Sequence, residues 1–522
     1  MAPLFAALLF ASLASASGSG VSTAISRIRI DLERDIKRDI NEPLRLPNNN
    51  SIAELYFEQP LDHQTVDSDT YFQRYFSRTS FSPSDAVSPD YVFLCTGGEG
   101  PGFTDSVLLD SVHCTGDMIE LASNLADAGK DVMLYAIEHR YYGLSLPRGD
   151  MTSSNYNVYL SSHNAILDVS TFVEMQNEKF ETKPKWVTFG GSYPGMVSAW
   201  SRLLFPDLIW ASVSNSSPVQ AKLNMNEYND YVGKVLSDED IGGSQECLDV
   251  VAEGHEQIKE QLSTSSGQEG LVAEFNVCEI DGLDNPLSVD RNAQLFAGDG
   301  VIYVPAQEND PSCTGDLCNV KKICESLLDG PETESAMDKL LRVAAAQNGD
   351  GCVTVDWESQ ISLLKSLAAT AGGTRSWLFQ TCNEFGFYQT CEEDSSCPYA
   401  KGLHPLNQDL EMCSSVFGID ADTVSNNVDA SNDFYGGWNV DSSRILFVNG
   451  DVDPWSTLAI TSTNPEVPDP TKCLPAFWVD QASHHFWTHE VLPTDSDYVN
   501  ESRKKIWKQV DQWLQLDDAG AC

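Results

Sequence analysis

The 522 residues carry 41% apolar and 10% aromatic side chains against 21% charged ones, too much core-forming material for a disordered chain and enough length for more than one compact unit. Acidic residues outnumber basic ones by 77 to 32, a net charge of −45 that repels phosphate backbones and anionic lipid and excludes nucleic acid as a partner. Protonation of carboxylates relieves that self-repulsion, so an acidic working environment suits the chain.

The chain opens with MAPLFAALLFASLASASG, an apolar run from Leu4 to Leu13 followed by Ala14-Ser15-Ala16. The run is far short of the ~20 residues of a spanning helix, and it reads as a secretory signal peptide over residues 1–16. No later stretch qualifies as a membrane span. The expected destination is the secretory pathway, ending outside the cell or in a lysosome or vacuole. Sequons stand at Asn49, Asn215 and Asn500; Asn49 and Asn500 suit glycosylation, whereas Asn215 follows an apolar run and is expected to be buried.

Strands are predicted at 91–95 and 132–137 around a helical stretch at 118–128. Helices at 165–180 and 196–205 then alternate with strands at 186–189 and 209–213. Such alternation implies parallel βαβ units and an α/β sheet. From 222 to 430 the alternation stops, and the chain becomes helical in pattern, acidic and rich in cysteine, with a flexible loop expected at 263–267. Ten of the fourteen cysteines, Cys247 through Cys413, fall there without the His partners or CxxC pairs of a zinc site. In a secreted chain they predict disulfides confined to an insertion. Strands resume at 444–448 and 477–479, and an amphipathic helix places Ile506, Trp507, Val510, Trp513 and Leu514 on one side. The expected organisation is a first part of the α/β domain at 17–221, an inserted domain at 222–430, and a second part at 431–522.

Candidate chemistry collects where strands end. Gly190-Gly191-Ser192-Tyr193-Pro194-Gly195 joins a strand to a helix, the context of a nucleophile elbow in which small residues let a sharp turn lift the Ser hydroxyl out of the sheet. The usual Gly two residues after the Ser is here Pro194, which a helix's first turn accepts. Asn449-Gly450-Asp451-Val452-Asp453-Pro454-Trp455 follows the strand at 444–448 and offers two carboxylates, Asp451 and Asp453, to orient a histidine. Ser483-His484-His485 follows the strand at 477–479 and supplies imidazole, the natural base for a Ser hydroxyl. The order Ser192, Asp453, His484 is that of the α/β-hydrolase fold and differs from the chymotrypsin and subtilisin orders. Gly97-Gly98-Glu99-Gly100-Pro101 follows the first predicted strand, and its N–H groups at Gly98 or Glu99 would join that of Tyr193 as an oxyanion hole. Glu138, His139 and Arg140 are read as a buried charged cluster that supports the elbow.

These segments resemble the prolyl-specific serine peptidases, the family of lysosomal Pro-X carboxypeptidase, dipeptidyl peptidase II and thymus-specific serine protease. The matching motifs are QPLDH at 59–63, GGEGP at 97–101, EHRYYG at 138–143, GGSYPGM at 190–196, TCNEFGFYQTC at 381–391, NGDVDPW at 449–455 and SHH at 483–485. The segment at 381–391 together with FYGGW is most similar to the thymus-specific branch. The resemblance implies an α/β-hydrolase fold with an inserted helical, disulfide-rich cap domain. It implies Ser192 as nucleophile, Asp453 as the orienting carboxylate and His484 as base, with Phe486-Trp487 departing from the family's usual continuation. It also implies cleavage after proline, with Met196 and Trp455 lining an apolar slot for the ring, although ordinary core packing accounts for both equally.

The expected partners are peptide substrates, with a homodimer as one possible assembly; no metal or organic cofactor is implied. Glu99 could hold a substrate's terminal amine, as amino-terminal dipeptide release requires, whereas no cation for a terminal carboxylate is evident. A general esterase or lipase and a non-catalytic secreted binding protein remain as alternatives, since a fold alone does not fix function.

Overall fold

The computed structural model describes residues 52–522 apart from 83–87, 150, 332, 367–372 and 518–521. The signal peptide expected at 1–16, the start of the first domain at 17 and the Asn49 sequon lie outside the described residues. Ten strands run in chain order: β1 Ile52–Pro60, β2 Thr70–Phe81, β3 Tyr91–Thr96, β4 Val132–Ile137, β5 Lys185–Gly191, β6 Ala211–Asn215, β7 Lys222–Asn224, β8 Gly386–Tyr388, β9 Ile445–Gly450 and β10 Ala476–Val479. Eight of them form one sheet in the order β1-β2-β4-β3-β5-β6-β9-β10. From β4 to β10 all neighbours are parallel, whereas β2 pairs antiparallel with both β1 and β4.

The parallel strands are legible because both faces are covered: every residue of Tyr-Val-Phe-Leu-Cys-Thr in β3 and of Ile-Leu-Phe-Val-Asn-Gly in β9 is buried. Helices Glu120–Asp127, Ser162–Asn177 and Tyr193–Leu204 fall in the crossovers that parallel pairing demands. The last helix, Asp497–Leu514, buries Ile506, Val510, Trp513 and Leu514 in the same core as β3, β5 and β6, with Trp507 partly buried against it. Fully burying such side chains contributes about 1.5–3 kcal/mol each. This sheet and its helices are an α/β-hydrolase fold.

Strands β1 and β2 precede the first strand expected from the sequence. Their inward positions include Gln59, Gln73, Arg74 and Arg78, all buried, so an apolar period is missing. Partners far along the chain satisfy them. Gln59 Nε2 donates to Gln73 Oε1 at 2.8 Å, Gln73 Nε2 to the Glu138 carbonyl at 2.7 Å, and Arg78 Nη1 to the Leu108 carbonyl at 2.7 Å.

Contacts divide the chain into one unit that includes Lys222–Val428 and another formed by the flanks, up to Ala221 and from Asp429 onward. The inserted unit is mainly helical, with β7 and β8 as a small parallel pair. Five disulfides lie within it: Cys247–Cys324, Cys278–Cys352, Cys313–Cys318, Cys382–Cys413 and Cys391–Cys397. Cys95–Cys114 and Cys473–Cys522 lie in the other unit. Closing the two loops spanned by Cys247–Cys324 and Cys278–Cys352 restricts the unfolded chain by about 4 kcal/mol each in the chain-entropy account. The loop expected at 263–267 is instead the start of helix Ser265–Glu274. Thr264 caps it by accepting the Gly267 N–H at 3.1 Å, which converts a Ser-rich break into a first turn.

His404 is buried in the inserted unit between two carboxylates, with Nδ1 2.6 Å from Asp299 Oδ1 and Nε2 3.0 Å from Asp409 Oδ2. Burial opposes its charge, but the two carboxylates win and raise its pKa well above the usual 6.5. A raised folded pKa contributes stability that is fully present below the unfolded value and is lost as pH rises through the folded one. The melting-temperature gap between the wild-type chain and His404→Gln should therefore be widest in acid and shrink at alkaline pH. A gap independent of pH would show that His404 is held neutral.

Candidate active site

Strand β5 ends in Gly190-Gly191, and Ser192 follows with φ 62° and ψ −135° before helix Tyr193–Leu204 begins. A non-glycine residue held there is strained, and the surroundings must enforce it. Ser192 N–H donates to the Asn215 carbonyl at 2.9 Å, and the Ser192 carbonyl accepts from Met196 N–H at 3.1 Å. A Cβ on Gly190 would lie 2.4 Å from the Pro194 carbonyl oxygen, and one on Gly195 would lie 2.0 Å from Ser217 Oγ. The Pro194 departure is matched elsewhere: its ring occupies the space beside Gly98, where a Cβ would meet Pro194 Cδ at 2.4 Å. The oxyanion-loop glycine and the elbow proline thus fit each other.

Asp453 caps the short helix Pro454–Leu458, its Oδ1 accepting the Trp455 N–H at 2.9 Å. Its Oδ2 accepts from His484 Nδ1 at 2.9 Å. Both residues are buried, and this contact selects Asp453 over Asp451 as the histidine's partner. It also fixes the tautomer, leaving the lone pair of His484 on Nε2, which has no hydrogen-bond partner among the described residues. His485 is used differently. Its backbone N–H donates to Ser216 Oγ at 2.8 Å, its Nδ1 lies 3.1 Å from Thr488 Oγ1, and its ring packs under Gly191, where a Cβ would come within 2.8 Å. Burial drives its pKa well below 6.5 and keeps it neutral.

The loop carrying Gly97, Gly98 and Glu99 is braced by Glu138. That carboxylate accepts from Phe103 N–H at 3.1 Å, Leu144 N–H at 2.9 Å, Ser145 Oγ at 2.8 Å and Arg74 Nη2 at 2.6 Å. His139 Nδ1 donates to the Arg140 carbonyl at 2.7 Å, so Nε2 accepts the Tyr193 hydroxyl at 2.8 Å. Burial lowers the His139 pKa to about 4, in keeping with this neutral form. Arg140 grips Asp168 through Nε at 2.7 Å and Nη2 at 2.5 Å. The cluster at 138–140 therefore supports the elbow, as its position after a strand suggested.

Glu99 is turned toward the serine: Ser192 Oγ donates to its Oε1 at 3.3 Å. The residue is half-buried, with Oε2 closed off from solvent. Desolvation pushes its pKa up to about 7, against the pull of its own backbone N–H, His484 and Ser192. Met196 and Trp455 are both fully buried. The Trp455 ring stands 6.3 Å from the His484 ring. Asn215, noticed only as a buried sequon, joins several parts of the site. Its carbonyl holds Ser192, its Nδ2 donates to Asp117 Oδ2 at 2.7 Å, and its Oδ1 accepts Trp487 Nε1 at 2.7 Å. Asp117 and Trp487 carry no local motif that could have announced them.

A strained serine between a central parallel strand and its helix, with a histidine–aspartate pair on two later loops of the same unit, belongs to the serine hydrolases of the α/β-hydrolase class. The chain is a member of the serine carboxypeptidase S28 family, whose model matches residues 59–506, and it is a serine-type peptidase. It is similar to the thymus-specific serine protease of Homo sapiens, 32% identical over 475 residues that cover 88% of this chain and 86% of the human protein. The putative serine protease K12H4.7 of Caenorhabditis elegans is 30% identical, covering 90% of each chain. The lysosomal Pro-X carboxypeptidase of Homo sapiens is 25% identical, covering 89% of each.

Proposed function

We propose that the protein hydrolyses peptide bonds after proline through an acyl-enzyme, with Ser192 as nucleophile, His484 as base and Asp453 as the carboxylate that orients it. The observation that carries this reading is the 2.9 Å Asp453–His484 hydrogen bond in the same unit as a serine strained at φ 62°. Ser192 Oγ attacks the proline residue's own carbonyl carbon and gives its proton to His484 Nε2. The carbonyl electron pair moves onto oxygen, held by the N–H groups of Tyr193 and the Gly98–Glu99 turn. Collapse expels the amine, which takes the proton back from His484, and water repeats the sequence to free the acid. Trp455, buried beside the base, backs the wall of a slot for the proline ring, whose fixed φ lowers the ordering cost.

The name of the lysosomal Pro-X relative supports both proline specificity and an acidic compartment, as does a net charge of −45. No helix among the described residues is long and apolar enough to cross a membrane. An exopeptidase that reads the amino terminus would need Glu99 ionised to hold the substrate ammonium, the opposite charge state to the one that frees the Ser192 hydroxyl. Peptide libraries with free and acetylated amino termini, profiled between about pH 4 and 8 around the ordinary histidine range, test the reading. Pro should dominate before the scissile bond, with Ala next, and slower cleavage of acetylated peptides would favour the amino-terminal mode. Preference for basic or large aromatic residues there would refute proline specificity, and preference for acyl esters over all peptides would point to an esterase.

A further inference from the structure

A Ser-His-Asp relay needs no second carboxyl at its nucleophile, yet Glu99 provides one. Its Oε1 accepts the Ser192 hydroxyl at 3.3 Å. Among the described residues its Oε2 is buried with no hydrogen-bond partner, and His484 Nε2, the atom that would receive the same hydroxyl proton, has none either. Ser192 Oγ is thus within hydrogen-bond reach of Glu99 Oε1 and makes no hydrogen bond to His484 Nε2. We propose that Glu99 gates the nucleophile: Ser192 becomes competent only when the neighbouring Glu99 carboxyl is uncharged. The inference rests on the assignment of Ser192 and His484 as nucleophile and base.

Two physical effects act in the same direction. An ionised Glu99 competes with His484 for the Ser192 hydroxyl, and a charge-assisted acceptor is the stronger of the two. It also places a negative charge on the loop that must bind the developing oxyanion, where like charges repel in a water-poor site. A protonated Glu99 reverses both. Its O–H can donate to a lone pair of Ser192 Oγ, which leaves the serine hydroxyl free to turn to His484 Nε2. During attack Glu99 keeps its proton, the serine proton goes to His484, and the new negative charge resides on the substrate oxygen alone.

The groups facing Glu99 allow its charge to change near neutrality. From the elbow it meets Ser192, from the loop after β10 it feels the His484 imidazole, and from its own backbone it takes an N–H. At the far end of its loop Arg74 and Glu138 pair with each other at 2.6 Å. His485, packed under Gly191, and His139, bound to Tyr193, are both driven toward the neutral form by burial. Desolvation consequently outweighs the groups that favour ionisation, and the carboxyl titrates at about 7.

A fluorophosphonate probe tests the gate without any choice of peptide. Ser192 Oγ forms a bond to phosphorus, fluoride leaves, and the serine proton passes to His484. Labelling of the full chain should fall about tenfold per unit above roughly pH 7 as Glu99 ionises. Glu99→Gln, neutral and of the same shape, should lose that fall. A wild-type rate that stays level to about pH 9, or an equal fall in Glu99→Gln, would overturn the proposal. Should Glu99→Gln fail to fold, Glu99→Asp serves instead: its shorter carboxyl must displace the alkaline fall, and an unmoved fall would overturn the gate. Labelling that persists in Ser192→Ala would sink the nucleophile assignment itself, a result separate from a level profile carried by Ser192.

Discussion

Ser192→Ala should abolish fluorophosphonate labelling and lower peptide turnover by roughly three to six orders of magnitude, the range seen when a triad member is deleted. The fold should survive, because the hydroxyl's one hydrogen bond, to Glu99 at 3.3 Å, is long and the strained backbone is held through main-chain atoms at Asn215 and Met196. Alanine also tolerates the left-handed region no worse than serine. Two histidine variants separate chemistry from support. His484→Ala removes the acceptor for the serine proton and should match the Ser192→Ala loss in turnover while the protein still melts cooperatively. His485→Ala empties the space under Gly191 and breaks the contact with Thr488, so it should lower stability and cost much less turnover per folded molecule. Equal turnover losses at equal stability would leave the Asp453 hydrogen bond without the meaning given to it here.

Arg140→Gln should destabilise the α/β-hydrolase unit by about 3–5 kcal/mol, the cost of breaking a buried ion pair from one side. Arg140 is wholly buried, and besides its two bonds to Asp168 it donates to the Leu61 carbonyl at 3.2 Å and the Tyr159 carbonyl at 2.8 Å. Asp168 is 1% exposed and also binds His63 at 2.7 Å and the Tyr71 hydroxyl at 3.0 Å. Burial alone would raise the Asp168 pKa, but Arg140 and His63 outweigh it and hold the carboxyl below its ordinary value. A depressed folded pKa contributes stability that is present above the unfolded value of ~3.9 and is lost as pH falls through the folded one. Without Arg140, desolvation prevails and Asp168 takes up a proton at higher pH than in the wild type. The stability gap between wild type and variant, read by urea unfolding, should thus be wide at neutral pH and narrow below about pH 5. A gap independent of pH would mean that Arg140 stabilises the fold through its carbonyl contacts and not through Asp168.

The sequence by itself determined those features whose physical cause is local. Strands β3, β4, β5 and β9 are covered on both faces and so are largely apolar, a pattern that a short window shows. The elbow is legible because a turn that sharp admits only small residues around Ser192. The crowding of ten cysteines between Cys247 and Cys413 marks an insertion because bridges there close within it. Tertiary structure alone decided what depends on partners distant in the chain. Strands β1 and β2 are stable because Gln73 and Arg74 find the Glu138 carbonyl and carboxylate, which no periodicity encodes. Asp453, and not Asp451, meets His484 through a hydrogen bond spanning 31 residues, while His485 packs under Gly191. Glu99 meets Ser192 across 93 residues, and burial, a property of the assembled fold and not of the glutamate, sets the pH at which it carries charge.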